Sequence, residues 1–213
     1  MINMQTIAEI SVPTTALTDQ AVQYARHNYE PYLFNHVMRS WLFAVRLGAL
    51  QQIRHDAEVV ALGTLLHDIT LNERFAGPRR FEVEAADLAR DFARNAGLDD
   101  RRAQLIWDGV ALNSTPSIAL YKEPEVSLCT AGIALDILGL NREQIPTDEV
   151  NGIIAAFPRL EMKRKLTERF CIIARDHPET TYDNFVRDYG MRMVPGYKTP
   201  SVVDLVMGAP FDG

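Results

Sequence analysis

A chain of 213 residues with 47% hydrophobic side chains is long enough to bury one real core, so a single domain is expected. A formal net charge of −6 and a pI near 5.4 argue against a phosphate-binding face of clustered Lys and Arg, and no nucleic-acid partner is expected. No apolar run reaches the roughly 18 residues of a membrane span, and Met1-Ile2-Asn3-Met4-Gln5-Thr6 lacks the regions of a signal peptide, so a soluble cytoplasmic protein without a membrane partner is expected.

Residues 1–17, with Val12-Pro13-Thr14-Thr15, read as an N-terminal arm. Leu17-Thr18-Asp19 offers an N-cap for a helix to about Tyr29, which Glu30-Pro31 breaks. From Pro31 the apolar stripe Leu33, Val37, Trp41, Ala44 and Leu47 predicts a long helix to about Ile53. A second helix from Asp56 carries Val59, Val60, Leu62, Leu65 and Leu66 up to His67-Asp68; apolar on most sides, it reads as the central helix. Gly77-Pro78 marks a loop, followed by helices over 81–95 and from Asp99 or Asp100 to about Leu112. Glu123 to Leu138 is the next helix, ended by Gly139, and further helical patterns cover 146–156, 159–176 and 180–188. Residues 190–213 read as a tail with one short helix at Val202–Met207, packed on the domain or on a neighbouring subunit, which is compatible with a homodimer or higher homo-oligomer. The fold expected is all-α: one compact helical domain over 18–189 with a metal site between its central helices. Cys129 and Cys171 are far apart and outside any Cys-x-x-Cys spacing, so neither a disulfide framework nor a thiolate zinc site is indicated.

His67-Asp68 closes the apolar run Val59 to Leu66, where an unpartnered imidazole or carboxylate costs several kcal/mol. His36 in Leu33-Phe34-Asn35-His36-Val37-Met38 and Asp136 in Ile133-Ala134-Leu135-Asp136-Ile137 sit in similarly apolar helices. His36, His67, Asp68 and Asp136 are therefore the expected ligands of one divalent ion, zinc first, iron(II) or manganese as alternatives. A second His-Asp pair, His55-Asp56, lies at a polar helix junction and reads as a cap.

The order His, His-Asp, Asp across three helices resembles the HD superfamily of metal-dependent hydrolases. The stretches Pro31-Tyr32-Leu33-Phe34-Asn35-His36-Val37-Met38-Arg39-Ser40-Trp41-Leu42-Phe43, Leu65-Leu66-His67-Asp68-Ile69 and Arg80-Phe81-Glu82-Val83 are similar to its cyanamide hydratase-like group, as are Lys122-Glu123-Pro124-Glu125, Val194-Pro195-Gly196-Tyr197 and Val202-Val203-Asp204-Leu205. The resemblance covers residues 20 to about 211. Related proteins often have His where this chain has Asn113, and no His lies between Asp68 and Asp136, so a single metal is expected.

The resemblance implies a hydratase or hydrolase that uses metal-bound hydroxide on a small nitrile-like substrate, as in conversion of cyanamide to urea. A divalent ion can lower the pKa of water from about 15.7 toward 7. Asp68 is the expected proton carrier or simply a ligand, and Asn35 and Asn113 are candidate donors to the developing charge or else helix caps. Phe34, Trp41 and Phe75 are candidate pocket walls, with Glu73 and Arg80 beside them. Two other readings stand. One is a metal phosphohydrolase using Arg39, Arg74, Arg79, Arg80 or Lys122 to hold a nucleotide or small phosphate ester. The other is a non-catalytic helical domain with a bound metal.

Overall fold

A computed structural model of the chain describes residues 3–72 and 77–211. Glu73, Arg74 and Phe75 lie outside the described residues. The fold is all-α apart from one small hairpin, with eleven α-helices among the described residues. None of these helices is long and apolar enough to cross a membrane. The chain divides into two compact units, one of Met1–Gly77 with Phe81–Met162 and one of Pro78–Arg80 with Lys163–Gly213. That division does not coincide with boundaries at 17 and 189.

In the first unit, residues expected as an arm form β1 (Asn3–Ile7) and β2 (Ile10–Thr14), paired antiparallel from Asn3 opposite Thr14 to Ile7 opposite Ile10. The turn places Ala8 and Glu9 at φ 49° and 66°, the left-handed pair that suits a two-residue hairpin. In β2, Ile10 and Val12 are buried while Ser11 is exposed.

Helix α1 (Ala16–Asn28) starts slightly earlier than expected because Thr15 and Thr18 cap each other. The Thr18 amide donates to Thr15 Oγ1 at 3.1 Å and the Thr15 amide to Thr18 Oγ1 at 2.9 Å, a reciprocal pair that satisfies two end donors. Helix α2 (Pro31–Leu50) has Pro31 in its first turn, where the missing N–H costs nothing. It is buried along most of its length, Trp41, Leu42 and Ala44 completely. Helix α3 (Ala57–Leu65) is capped by Asp56, which accepts from the amides of Glu58 and Val59. Asp56 also pairs with Arg102 at 2.8 Å, so the His55-Asp56 pair is a helix cap.

Helices α4 (Phe81–Asn95) and α5 (Asp100–Ala111, capped by Asp99) follow, then α6 (Pro116–Ala119), α7 (Pro124–Leu138) and α8 (Thr147–Ala156). Gly139, at φ 73°, ends α7 in the left-handed conformation that glycine adopts without strain. The core is built where α2 packs on α3 and α7 and α5 packs on α3, α4 and α7.

The second unit carries most of α9 (Met162–Asp176), then α10 (Val186–Met193) and α11 (Val202–Met207). Where one helix over 180–188 was expected, a 3-10 turn Pro178–Thr180 precedes α10. Phe170 stands edge-on to Phe185 and tilted against Tyr189.

Candidate metal centre

Helix α3 stops just short of the His-Asp pair that was expected at its end, and side-chain bonds to its last carbonyls explain why. His67 Nδ1 meets the Thr64 carbonyl at 2.8 Å, occupying the acceptor that the Asp68 amide would need to continue the helix. The Tyr29 hydroxyl donates to the next carbonyl, Leu65, at 3.0 Å. His67 and Asp68 are thereby released into a tight turn, and Ile69–Leu71 continues as a 3-10 turn.

On the facing side, α7 approaches α2 closely at Gly132. A Cβ there would collide with the Ser40 carbonyl oxygen and stand 2.8 Å from Ala44 Cβ. Ser40 lies one turn after His36 and Gly132 one turn before Asp136, so this contact lays Asp136 against His36.

Three ligand atoms converge. His36 Nε2 is 3.1 Å from His67 Nε2, and Asp68 Oδ2 is 3.3 Å from the His67 nitrogen and 3.5 Å from that of His36. Both imidazoles are fully buried and Asp68 is 4% exposed. Among the described residues this is the one group of three or more His, Cys, Asp or Glu side chains able to hold a metal ion.

The remaining contacts assign the hydrogens. His67 Nδ1 faces a carbonyl, which only accepts, and His36 Nδ1 faces the Asp136 carboxylate at 2.6 Å. Both Nδ1 atoms therefore carry hydrogen, and in the neutral rings both Nε2 atoms present lone pairs. Asp68 Oδ2 is buried without a hydrogen-bond partner. Three lone pairs thus converge, and a cation between them, a metal ion or an additional proton, could hold them together.

The triangle suits a metal. Ions such as zinc hold nitrogen and oxygen ligands at about 2.0–2.2 Å, which sets neighbouring ligand atoms about 2.8–3.6 Å apart in right-angled to tetrahedral arrangements. With no ion bound, a proton takes its part. Burial opposes protonation of His67, but the Asp68 carboxylate outweighs it and shifts the imidazole upward. Burial likewise opposes ionisation of Asp68, and His67 and His36 together hold it below the usual carboxylate range. For His36 burial wins, and its pKa is lowered despite Asp136.

Asp136 stands behind His36, where a fourth ligand was expected. Its Oδ2 accepts from His36 Nδ1 and, at 2.8 Å, from Arg39 Nη2; its Oδ1 accepts from Arg39 Nε at 2.7 Å and Arg159 Nη1 at 3.0 Å. Burial opposes its charge, yet the bonds from His36 and Arg39 hold the carboxyl far below its ordinary range. A carboxylate so placed fixes the ring and tautomer of a histidine whose other nitrogen is free to bind a metal. Arg39 is fully buried and also donates to the Phe157 carbonyl at 2.8 Å.

The other candidates are scattered. Asn35 is half-buried and donates to the Pro158 carbonyl at 2.8 Å. Asn113 is buried at the end of α5, donating to the Val110 carbonyl at 2.6 Å. Phe34 faces Phe157 edge-on at 6.4 Å, and Trp41 is wholly in the core. Arg80 belongs to the second unit, 3.5 Å from Asp183. Glu73 and Phe75 lie outside the described residues. Sequence reading missed Arg159, Tyr29 and the pairing of Arg39 with Asp136. Only Arg39 carried a signal, lying three residues after His36 and so on the same helix face.

No model of a known protein family matches this chain, and no curated protein matches its sequence.

Proposed function

We propose that this protein is a metal-dependent hydratase or hydrolase of the HD type that adds water to a small nitrile-like carbon, with cyanamide to urea as the model reaction. One observation carries the reading: three buried lone pairs, on His36, His67 and Asp68, converge at 3.1–3.5 Å with no protein donor between them.

In this reading His36, His67 and Asp68 hold one divalent ion, zinc first by their nitrogen and oxygen chemistry. When bound, such an ion supplies activated water near neutral pH. Hydration of a nitrile adds the oxygen of water to carbon and one proton to nitrogen, and the remaining O–H proton then moves to nitrogen to give the amide. In this reading Asp68 is a ligand through Oδ2 and, where its other oxygen stays off the ion, carries a proton from water to nitrogen. Asp136, held by Arg39 and Arg159, keeps His36 in the tautomer that presents its Nε2 lone pair.

A phosphate ester would need basic side chains free to meet it. Arg39 is taken up by Asp136, and Lys122 pairs with Asp108 at 3.0 Å and Glu123 at 3.4 Å. Neither of these two side chains is free to hold a phosphate.

The test is elemental analysis of protein purified without added metal, paired with urea formation from cyanamide. About one equivalent of metal with chelator-sensitive urea release is the expected result. Metal without urea would redirect the search to larger nitriles, and absence of metal would overturn the reading.

A further inference from the structure

A cleft of about 440 Å³ opens in the first unit and is lined by Arg26, Tyr29, Phe34, Asn35 and Phe157 among others. Its size falls within the range of about 300–1,000 Å³ found for small-molecule sites. Phe34 and Phe157 meet edge-on and give it an aromatic wall. Arg26 lies across the Phe34 ring, its guanidinium carbon 4.4 Å from the ring centroid.

Arg26 is exposed, and a guanidinium over an aromatic ring can fork its N–H groups onto a carboxylate. Among the described residues no carboxylate lies within ion-pair distance of Arg26, although the chain carries a net charge of −6. An uncompensated cation over an aromatic wall, in an acidic protein, points to an anionic ligand. One such cation suits a single negative charge rather than a phosphate dianion.

Two residues tie the cleft to the buried cluster. Tyr29 lines the cleft and donates its hydroxyl to the Leu65 carbonyl, at the turn that releases His67 and Asp68. Phe157 forms the wall, and its carbonyl is held by Arg39, the partner of Asp136 behind His36. Asn35, next to His36 on α2, spends one amide hydrogen on the Pro158 carbonyl and keeps its carbonyl oxygen for a ligand N–H.

We propose that this cleft binds a small organic monocarboxylate with a flat or apolar body, its charge on the edge of Arg26 and its body against Phe34 and Phe157. The cleft stands apart from the reading of His36, His67 and Asp68 as the reaction centre, for none of these buried side chains lines it.

The test titrates the full-length protein with benzoate and with benzamide, its neutral counterpart, by ligand-observed NMR. Metal content is measured separately on the same preparations. Benzoate is expected to bind about tenfold more tightly than benzamide. Arg26→Gln should abolish that preference while leaving metal content and melting temperature at the wild-type value. Phe34→Leu should weaken both ligands by a similar factor. Equal affinity for the two compounds in the wild type, or a preference that survives in Arg26→Gln, overturns the proposal. An Arg26-dependent preference in a protein that holds no metal upholds the cleft and removes only the reaction-centre reading.

Discussion

Asp136 meets His36 at Nδ1, 2.6 Å away, while Nε2 of the same ring faces His67 at 3.1 Å. One side of the imidazole is anchored so that the other can bind. Because Arg39 is fully buried and forks onto both Asp136 oxygens, the carboxylate also neutralises a charge that has no access to water. Asp136→Asn is therefore expected to destabilise the fold by about 3–5 kcal/mol, the usual consequence of breaking a buried pair from one side. Metal affinity should fall about 10–100-fold, as when a carboxylate behind a ligating histidine is lost. Denaturant unfolding and competition with a chromophoric chelator check the two effects. A variant with wild-type stability would show that Asp136 does not carry this network.

The reach of the sequence is seen by comparing particular residues. His36, His67 and Asp68 stand out because each is a polar side chain in an apolar helical run, and a core tolerates such groups only with a partner. Helices over 81–95 and 124–138 are marked by their flanks, Gly77-Pro78 and Gly139. The hairpin at residues 3–14 is hidden because its turn is Ala8-Glu9, without the Asn-Gly or Asp-Gly that normally signals one. The end of α3 is hidden too, since it is set by a side chain bonding back to Thr64 and by Tyr29, 36 positions away from Leu65. Arg39 reads from sequence as a cation available to a phosphate. Its pairing with Asp136 depends on α2 and α7 lying side by side, which one-dimensional periodicity does not specify.

His67 and His55 make a matched pair of substitutions. His67 supplies one of the converging lone pairs and the bond that ends α3, whereas His55 meets only the Ile53 carbonyl, at 2.9 Å, beside a capping aspartate. His67→Ala is expected to lose bound metal and turnover together, and His55→Ala to keep both. Elemental analysis of the purified variants decides it, and equal metal content would sink the assignment.

Protons and metal compete for the same point. In the ion-free protein the His67 pKa is raised above its ordinary 6.5, so the folded state holds a proton that the unfolded chain releases first. The stabilising contribution of His67 is thus fully present below pH 6.5 and is lost as pH rises through the folded-state value. In chelator-treated protein, the stability difference between wild type and His67→Gln should be larger at about pH 5.5 than at about pH 8.5. Metal affinity should run the opposite way and rise with pH, because binding displaces that proton. Unfolding curves and metal titrations at the two pH values test the pair of trends, and a metal affinity independent of pH would contradict the protonated cluster.

The close approach of α7 to α2 gives a test by backbone sterics alone. At Gly132 an added Cβ falls on the Ser40 carbonyl oxygen and near Ala44, neighbours that are main chain or a short side chain and cannot swing aside. Gly132→Ala should destabilise by at least about 1–3 kcal/mol, as overpacking in a filled core does. By pushing the helices apart one turn from both His36 and Asp136, it should also weaken metal binding. Gly152, inside α8, is the control: a Cβ there meets nothing nearer than the Ala8 carbonyl oxygen at 4.0 Å. Gly152→Ala should raise stability by about 0.5–1 kcal/mol through helix propensity alone and leave metal content unchanged. Thermal melts with metal analysis of the two alanine variants separate the site-forming helix contact from a general effect of glycine replacement. If both variants gain stability, the α2–α7 contact is not what sets Asp136 against His36.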